Sequence, residues 1–408
     1  MPENQIVLQG PVPDAVSAAF LPLEMLIGAG GAAASPAANH YQRHPLSIAQ
    51  TGQAIARVLV PEAIELGPNV QLSADGREVV ATVCGQVRMS GKRIWVEEVL
   101  EIAGDVDFST GCIEYKQDII VRGSVLDLFK VTGGGTVRVG RAVEAAEVRA
   151  ALDLLVAGAI AGKEKGRCFA GRNLKAKHIS NATLEAGNDV IAKTEITHSR
   201  IICGGRLRVD HGALVASHVT ANAGVCCGVL GCTSESETLV EAGMDEFLRR
   251  LSLASIPKLQ ADLKQIEKIQ QTVKPLMYNQ KSLNPAQKEK ATELLCLASD
   301  MEEGNRQAIE LLQRRSDEAA ARSKPEIVVG HSVCAGVTVR FPGLEATIPS
   351  PMKGPLRIFP RRVLAEPRIM VSSDDHRKPF ALQTRRWSDE AMDALSRVLP
   401  GRVSTVAS

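Results

Sequence analysis

Aromatic residues are scarce: Phe, Trp and Tyr make up 3% of the 408 positions, with two Trp and three Tyr. Wide globular cores draw much of their buried area from such side chains, so this chain must bury its apolar surface in something narrower. Net charge is close to nil at +2, which removes any whole-molecule attraction to nucleic acid. The nine cysteines are an odd number, scattered, with no Cys-x-x-Cys pair. That usage fits buried thiols in a reducing compartment. Long apolar runs are missing as well. Ala15 to Ala34 is apolar, but no Lys or Arg precedes it and Pro22 and Glu24 interrupt it, so neither a secretion signal nor a membrane span is expected.

What the chain has instead is repetition. Seven windows share an alternating apolar pattern: Ile113–Val121, Val131–Val139, Val148–Val156, Cys168–Ala176, Leu184–Ala192, Ile201–Val209 and Val219–Cys227. Their starts lie roughly 16 to 20 residues apart, too short for paired helices and suited to one turn of a coiled strand ladder. Period-two alternation sends one face of each strand into a narrow core. Glycine and asparagine between the strands, as in Gly133-Gly134-Gly135 and Gly204-Gly205, tolerate the backbone of a corner. The expected fold is mainly β, a parallel β-helix or β-solenoid over residues 104–243.

Before the repeats, residues 1–45 contain an Ala/Gly-rich stretch and are expected to be a flexible tail. Residues 46–103 read as short strands and turns, a β-rich lead-in that caps the first coil. Its strongest local signal is Asp75-Gly76 between alternating runs, a hairpin. After the repeats the composition changes. From 244 to 324 Leu, Lys, Glu and Gln dominate, and apolar residues recur in steps of four and three: Leu259, Leu263, Ile266, Gln270, Val273 and Met277, then Leu294, Ala298, Met301, Asn305, Ala308 and Leu312. Such spacing makes a seam for a partner helix. Asn284-Pro285 reads as a helix start. An antiparallel helical coiled-coil hairpin is therefore expected, with Pro325 returning near Met244. Polar Gln270 and Asn305 on the seams would fix register. Residues 325–360 read as strands that close the solenoid. Residues 361–408 read as a basic tail with a helix from Ser388, an expected N-cap, through Leu399.

Candidate chemistry is thin. Gly158-Ala-Ile-Ala-Gly162-Lys163-Glu164 approaches a phosphate loop, but the spacing is one residue short, Glu164 replaces Ser or Thr, and a strand follows. A solenoid corner explains it as well. His178 and His211 occupy equivalent places two coils apart, about 10 Å at the strand spacing, beyond any shared zinc. His198 and His218 fall elsewhere around the coil. Cys226-Cys227 with Cys232 is the densest thiol cluster, and strand alternation sends the adjacent pair to opposite faces. Asp153, Glu185, Asp189 and Glu195 stand singly, where a polysaccharide-cleaving β-helix would need clustered acids. No catalytic residue, metal ligand or cofactor is expected, and the protein is read as a non-enzyme.

The order of parts resembles the flagellar assembly protein A family of bacteria. The strings that carry the resemblance are Gly104-Asp-Val-Asp-Phe-Ser-Thr-Gly-Cys-Ile113, Ile120-Val-Arg-Gly-Ser-Val125, Gly158-Ala-Ile-Ala-Gly-Lys163 and Ser180-Asn-Ala-Thr-Leu-Glu-Ala-Gly187, and then the stretch through His198-Ser199, over roughly Leu46 to Phe359. The front is shorter than is common in the family, and some repeat glycines are replaced, as at Ala150-Ala151 and Asn222-Ala223. The resemblance implies a right-handed β-helix and a cytoplasmic, non-enzymatic role in flagellum assembly and motility. The expectation is a scaffold or regulatory adaptor that holds a flagellar protein partner, with the flagellated pole or inner membrane face as places of association. The seam residues Leu259, Leu263, Ile266, Val273, Leu294, Met301 and Leu312 are the candidate partner or homo-oligomer contacts. The alternatives are a polymer-forming, cytoskeletal β-helix and a carbohydrate-active one.

Overall fold

The computed structural model describes residues 48–57, 65–210, 212–232, 237–278, 284–363, 366–373 and 379–399. The expected flexible tail, 1–45, lies outside them. The chain divides into two compact units, Met1–Ala176 and Lys177–Ser408. Both carry coils of a β-solenoid.

In the first unit, Val70–Leu72 and Glu78–Ala81 pair antiparallel with Leu72 opposite Val79, which is the hairpin expected from Asp75-Gly76. Gly76 takes a φ of 68°, open to glycine at no steric cost. Ile55, Val79, Ala81, Ile94 and Val96 form a small core beneath these strands. The first coil strand, Leu100–Ile102, is met by a side chain. Glu101 N–H donates to Gln86 Oε1 at 3.0 Å, and Gln86 Nε2 donates to the Glu101 carbonyl at 3.4 Å. One glutamine thus satisfies the backbone groups that an edge strand leaves open.

The coils of this unit stack in three parallel ladders. Ile113, Val131, Val148 and Cys168 are successive partners in one. Leu100, Ile119, Val137, Leu154 and Leu174 form the second. Both sets are in the register read from the windows. The third ladder, Val106, Val125, Val143 and Ile160, consists of single-residue bridges and has no counterpart in the windows. All of these side chains are buried, so each coil adds three aliphatic layers to a column, at about 1.5–3 kcal/mol per buried side chain.

The second unit repeats the scheme. Leu184, Ile201, Val219, Val240 and Val339 form one ladder. Val190, Leu207, Val225 and Ile327 form another, and Ile196, Leu214, Leu230 and Val333 the third. The second ladder steps from Val225 to Ile327. The intervening chain includes α1 (Glu246–Tyr278) and α2 (Pro285–Arg322), which are inserted at a solenoid corner that the preceding coil turns within Asn222 to Gly224. The ends converge as expected: a Cβ on Gly243 would lie 2.7 Å from Pro325 Cβ. Asn284 opens α2, its N–H bonded to Gln287 Oε1 at 3.0 Å. Leu248, Ile256 and Leu259 of α1 pack with Leu312 and Ala319 of α2, and Ile269 and Val273 with Ala291, Leu294 and Ala298. The start of one helix meets the end of the other, so the pair is antiparallel.

Parallel stacking ends at Ile327–Val333 and Thr338–Phe341, whose outer edges take antiparallel strands Leu356–Val363 and Leu344–Thr347. The stretch after Pro360, expected as a basic tail, continues in strands. Leu356–Val363 pairs along its length with Glu366–Ser373. Ile369 and Val371 point inward, while Arg361, Arg362 and Arg368 are exposed, so the arginine-rich composition belongs to the solvated face of a hairpin. Arg377 and Lys378 lie outside the described residues. A third helix, α3, spans Glu390–Val398. Its N-cap is Asp389, which accepts from Ala391 and Met392 N–H, and not Ser388 as expected. The Ser388 hydroxyl donates instead to Asp393.

Candidate functional site

Acidic side chains are the first place to look for chemistry on a solenoid, and here they serve the corners. Asp105, Asp118, Asp127, Asp153 and Asp189 each accept a backbone N–H from the next coil, from Ser124, Thr136, Ala145, Asn173 and Arg206 at 2.6–3.1 Å. Each fills a gap where the coil bends and the strand ladder has no carbonyl to offer. Glu185 pairs with Arg250 at 2.9 Å and Glu195 lies 3.3 Å from His178. The acids read as scattered singles are thus tied into structure. A glycine shows how tightly the coils approach: a Cβ on Gly212 would sit 1.3 Å from the Thr194 carbonyl oxygen.

Lys163 sits in strand Ala159–Ala170, with φ 47° at a bend. Its ammonium lies 2.8 Å from both Asp127 and Glu144, so the phosphate-loop likeness ends in a corner held by an ion triad. His218 Nε2 lies 3.3 Å from Glu241, and His211 falls outside the described residues. Cys227 is buried and Cys226 half-buried, the two-faced arrangement expected of strand neighbours. Burial pushes the Cys168 and Cys227 thiols up to about 12, which leaves them without nucleophilic thiolate. Among the described residues no group of three or more His, Cys, Asp or Glu is placed to hold a metal ion.

The helix pair differs in kind. On α2, Ala291, Ala298, Asn305, Leu312 and Ala319 are buried at seven-residue steps. On α1, Leu259, Ile266 and Val273 do the same. Of the candidate contact residues, Leu259, Ile266, Val273 and Leu312 are therefore spent on the seam between the helices. Leu294 and Met301 are half-buried, and Leu263 is 57% exposed. Leu263 stands at the rim of a groove of about 410 Å³ lined by Ile266, Glu302, Asn305, Arg306, Ile309, Glu310 and Gln313. Asn305 is buried, and its Nδ2 has no hydrogen-bond partner. Gln270 reaches across to Glu302 at 3.0 Å. Met277 falls outside the described side chains.

The root of the pair is anchored by charge, which the sequence did not reveal because its members come from four separate segments. Glu241, on the strand that precedes α1, is 2% exposed. It accepts from the Thr220 hydroxyl at 2.7 Å and from Arg340 Nη1 at 3.2 Å. Burial alone would raise its pKa, but the adjacent His218 and hydrogen bonds from Thr220 and Arg340 outweigh that and hold the carboxyl at about 2. Arg340 also donates to Glu345 at 2.6 Å, and Arg385 joins Glu345 from the far side. The guanidinium groups of Arg340 and Arg249 lie over the Trp387 ring at 5.1 and 5.8 Å, and Arg249 reaches Asp389 at 3.2 Å. A cavity of about 650 Å³ opens beside this network, walled in part by Met244, Leu248, Ala319, Pro342, Trp387 and Met392. Of the carboxylates that line it, Asp389 is buried and Asp245 half-buried; desolvation raises the pKa of both, and both cap helix N-termini. The arrangement holds elements in place, and no reacting constellation emerges from it.

Residues 98–359 match the family model described as the Flagellar Assembly Protein A beta solenoid domain. Searches among curated proteins and among solved structures return no match.

Proposed function

The chain belongs to the flagellar assembly protein A family, and from that premise we propose that it serves flagellum assembly as a non-enzymatic scaffold or regulatory adaptor. It works in the cytoplasm by holding a protein partner, at the flagellated pole or the inner membrane face. The observation that carries this reading is the helix pair: a long insertion at one corner of a solenoid, rooted by a buried charge network and left with an open groove. Insertions at solenoid corners do not interrupt the stacking that supplies stability, so they are free to present binding surface. Further support comes from the coil acids Asp105, Asp118, Asp127, Asp153, Asp189, Glu185 and Glu195, each of which is engaged with backbone or a basic side chain and so is not set up as a free acid–base pair. Among the described residues no helix is long and apolar enough to cross a membrane. Antiparallel strands over the last coil weigh against end-to-end polymerisation, because they cover the edge that stacking would need.

The test is a capture from the cytoplasm of flagellated cells, using the intact chain beside one in which Glu246–Arg322 is replaced by a short glycine linker. A flagellar protein held by the first and lost by the second supports the reading. Equal capture by both would move the partner site onto the solenoid.

A further inference from the structure

The groove on the helix pair carries a charge pattern with a symmetry of its own. Glu302, Arg306, Glu310 and Arg314 follow one another in four-residue steps along α2, and all four are exposed. Four-residue rows are the ridges that helices interlock in their commonest packing class. Reversing this row end for end about Ala308 places Glu302 against Arg314 and Arg306 against Glu310, so the row is complementary to an antiparallel copy of itself. Within the chain Arg306 pairs with the exposed Glu303 and Glu302 accepts from Gln270, while among the described residues neither Glu310 nor Arg314 forms an ion pair.

Two further observations lie beside that row. Leu263 is 57% exposed at a seam position, where an apolar side chain is normally covered. Asn305 is 93% buried and lines the same groove with an amide nitrogen that nothing accepts from. A buried seam asparagine selects partner and register when its amide finds an acceptor across an interface, and left unpaired it costs stability.

We propose that this groove is the contact between two copies of the chain, with α2 packed antiparallel against α2 of the second copy about a two-fold axis that crosses the exposed row between Arg306 and Glu310. The second helix covers Leu263 and Ile309. It brings Glu310 of the second copy to Arg306 and within reach of Asn305 Nδ2, and the same contacts recur on the other side of the axis, as an isologous interface requires. The inference shares with the proposed function only the location of the binding surface. It is tested on the purified chain alone, so failure to find a flagellar partner leaves it untouched.

The experiment is analytical ultracentrifugation of the full chain over a hundredfold concentration range at low and high salt. Three proteins are compared: wild type, Glu310→Arg, and the charge swap Arg306→Glu/Glu310→Arg. Both positions are exposed, and circular dichroism checks that each variant keeps its helices. The wild type is expected to form a dimer that weakens as salt rises. Glu310→Arg sets like charges together twice per dimer and weakens association about tenfold or more. The swap restores the opposed signs and the dimer. A wild type that stays monomeric throughout overturns the proposal. So does a Glu310→Arg dimer as tight as wild type, or a swap variant no better than the single reversal.

Discussion

The coils of the second unit and the helix pair inserted among them solve the same problem, burial of a narrow apolar stripe, with different completeness. In these coils the three ladders are fully buried Ile, Leu and Val, each matched by another one strand spacing away, and the corners are closed by side chains such as Asp189 and Ser199. In the helix pair the seam on α2 is mostly alanine, with Asn305 at its middle. Small residues bring the helices together but leave little apolar area, and one polar group is left over. The coils are finished as they stand, and the helix pair is where a further contact has something to gain.

That contrast can be broken most severely in the coils. Ile201→Ala removes a fully buried side chain stacked between Leu184 and Val219 and is expected to cost about 3 kcal/mol, read as a lower thermal midpoint with loss of strand signal. If the midpoint held, the column would be far looser than its burial implies.

The root of the helix pair sharpens the comparison through pH. Glu241 has a folded pKa of about 2, below the roughly 4.3 of an unperturbed glutamate. Its contribution is therefore complete above the unfolded value and lost as pH falls through the folded one. The window runs from about pH 4.5 down to pH 2, with a ceiling of about 3 kcal/mol. Asp245 and Asp389, raised by burial, act in the opposite sense, so the measurement is a difference between proteins. Unfolding followed across that range should be steeper for wild type than for Glu241→Gln, and identical profiles would remove Glu241 from the anchor. At a corner the effect is smaller. Asp189→Ala deprives Arg206 N–H of its acceptor at 2.7 Å and should cost about 1–2 kcal/mol, with hydrogen exchange at Arg206 as the local readout. In the helix pair the sign reverses. Measured at high salt and low protein concentration, where the chain is monomeric, Asn305→Leu replaces an unpaired amide with apolar bulk and should stabilise the helices by about 1 kcal/mol, seen as a higher helical melting temperature. Destabilisation would mean the amide has a partner within the chain.

The strand register was legible because solenoid repeats are written in short alternations with bends at fixed places. Ile113, Val131 and Val148 start three windows, and they are ladder neighbours. The third ladder was illegible because its members in the first unit, such as Val125 and Val143, form one-residue bridges, too short for a period to show. The strands beyond Pro360 were hidden by arginines on a solvated face, whose number masks the inward Ile369 and Val371. Helix ends followed local chemistry at Asn284-Pro285 but slipped by one residue at Asp389, where Ser388 and Asp389 are both good caps and tertiary contact with Arg249 favours the second. The seam periodicity was plain in the sequence, yet it could not say that Leu259 and Val273 face the other helix while Leu263 is left open. That depends on which residue of α2 lies opposite, and only packing decides it.

The measurement that bears most directly on the account is motility of a flagellated strain whose own copy is replaced by a chain carrying a glycine linker in place of Glu246–Arg322. Circular dichroism of the purified replacement confirms that its coils remain. The account predicts a folded solenoid and a loss of swimming that the intact chain restores. Full motility with the helix pair gone would contradict it.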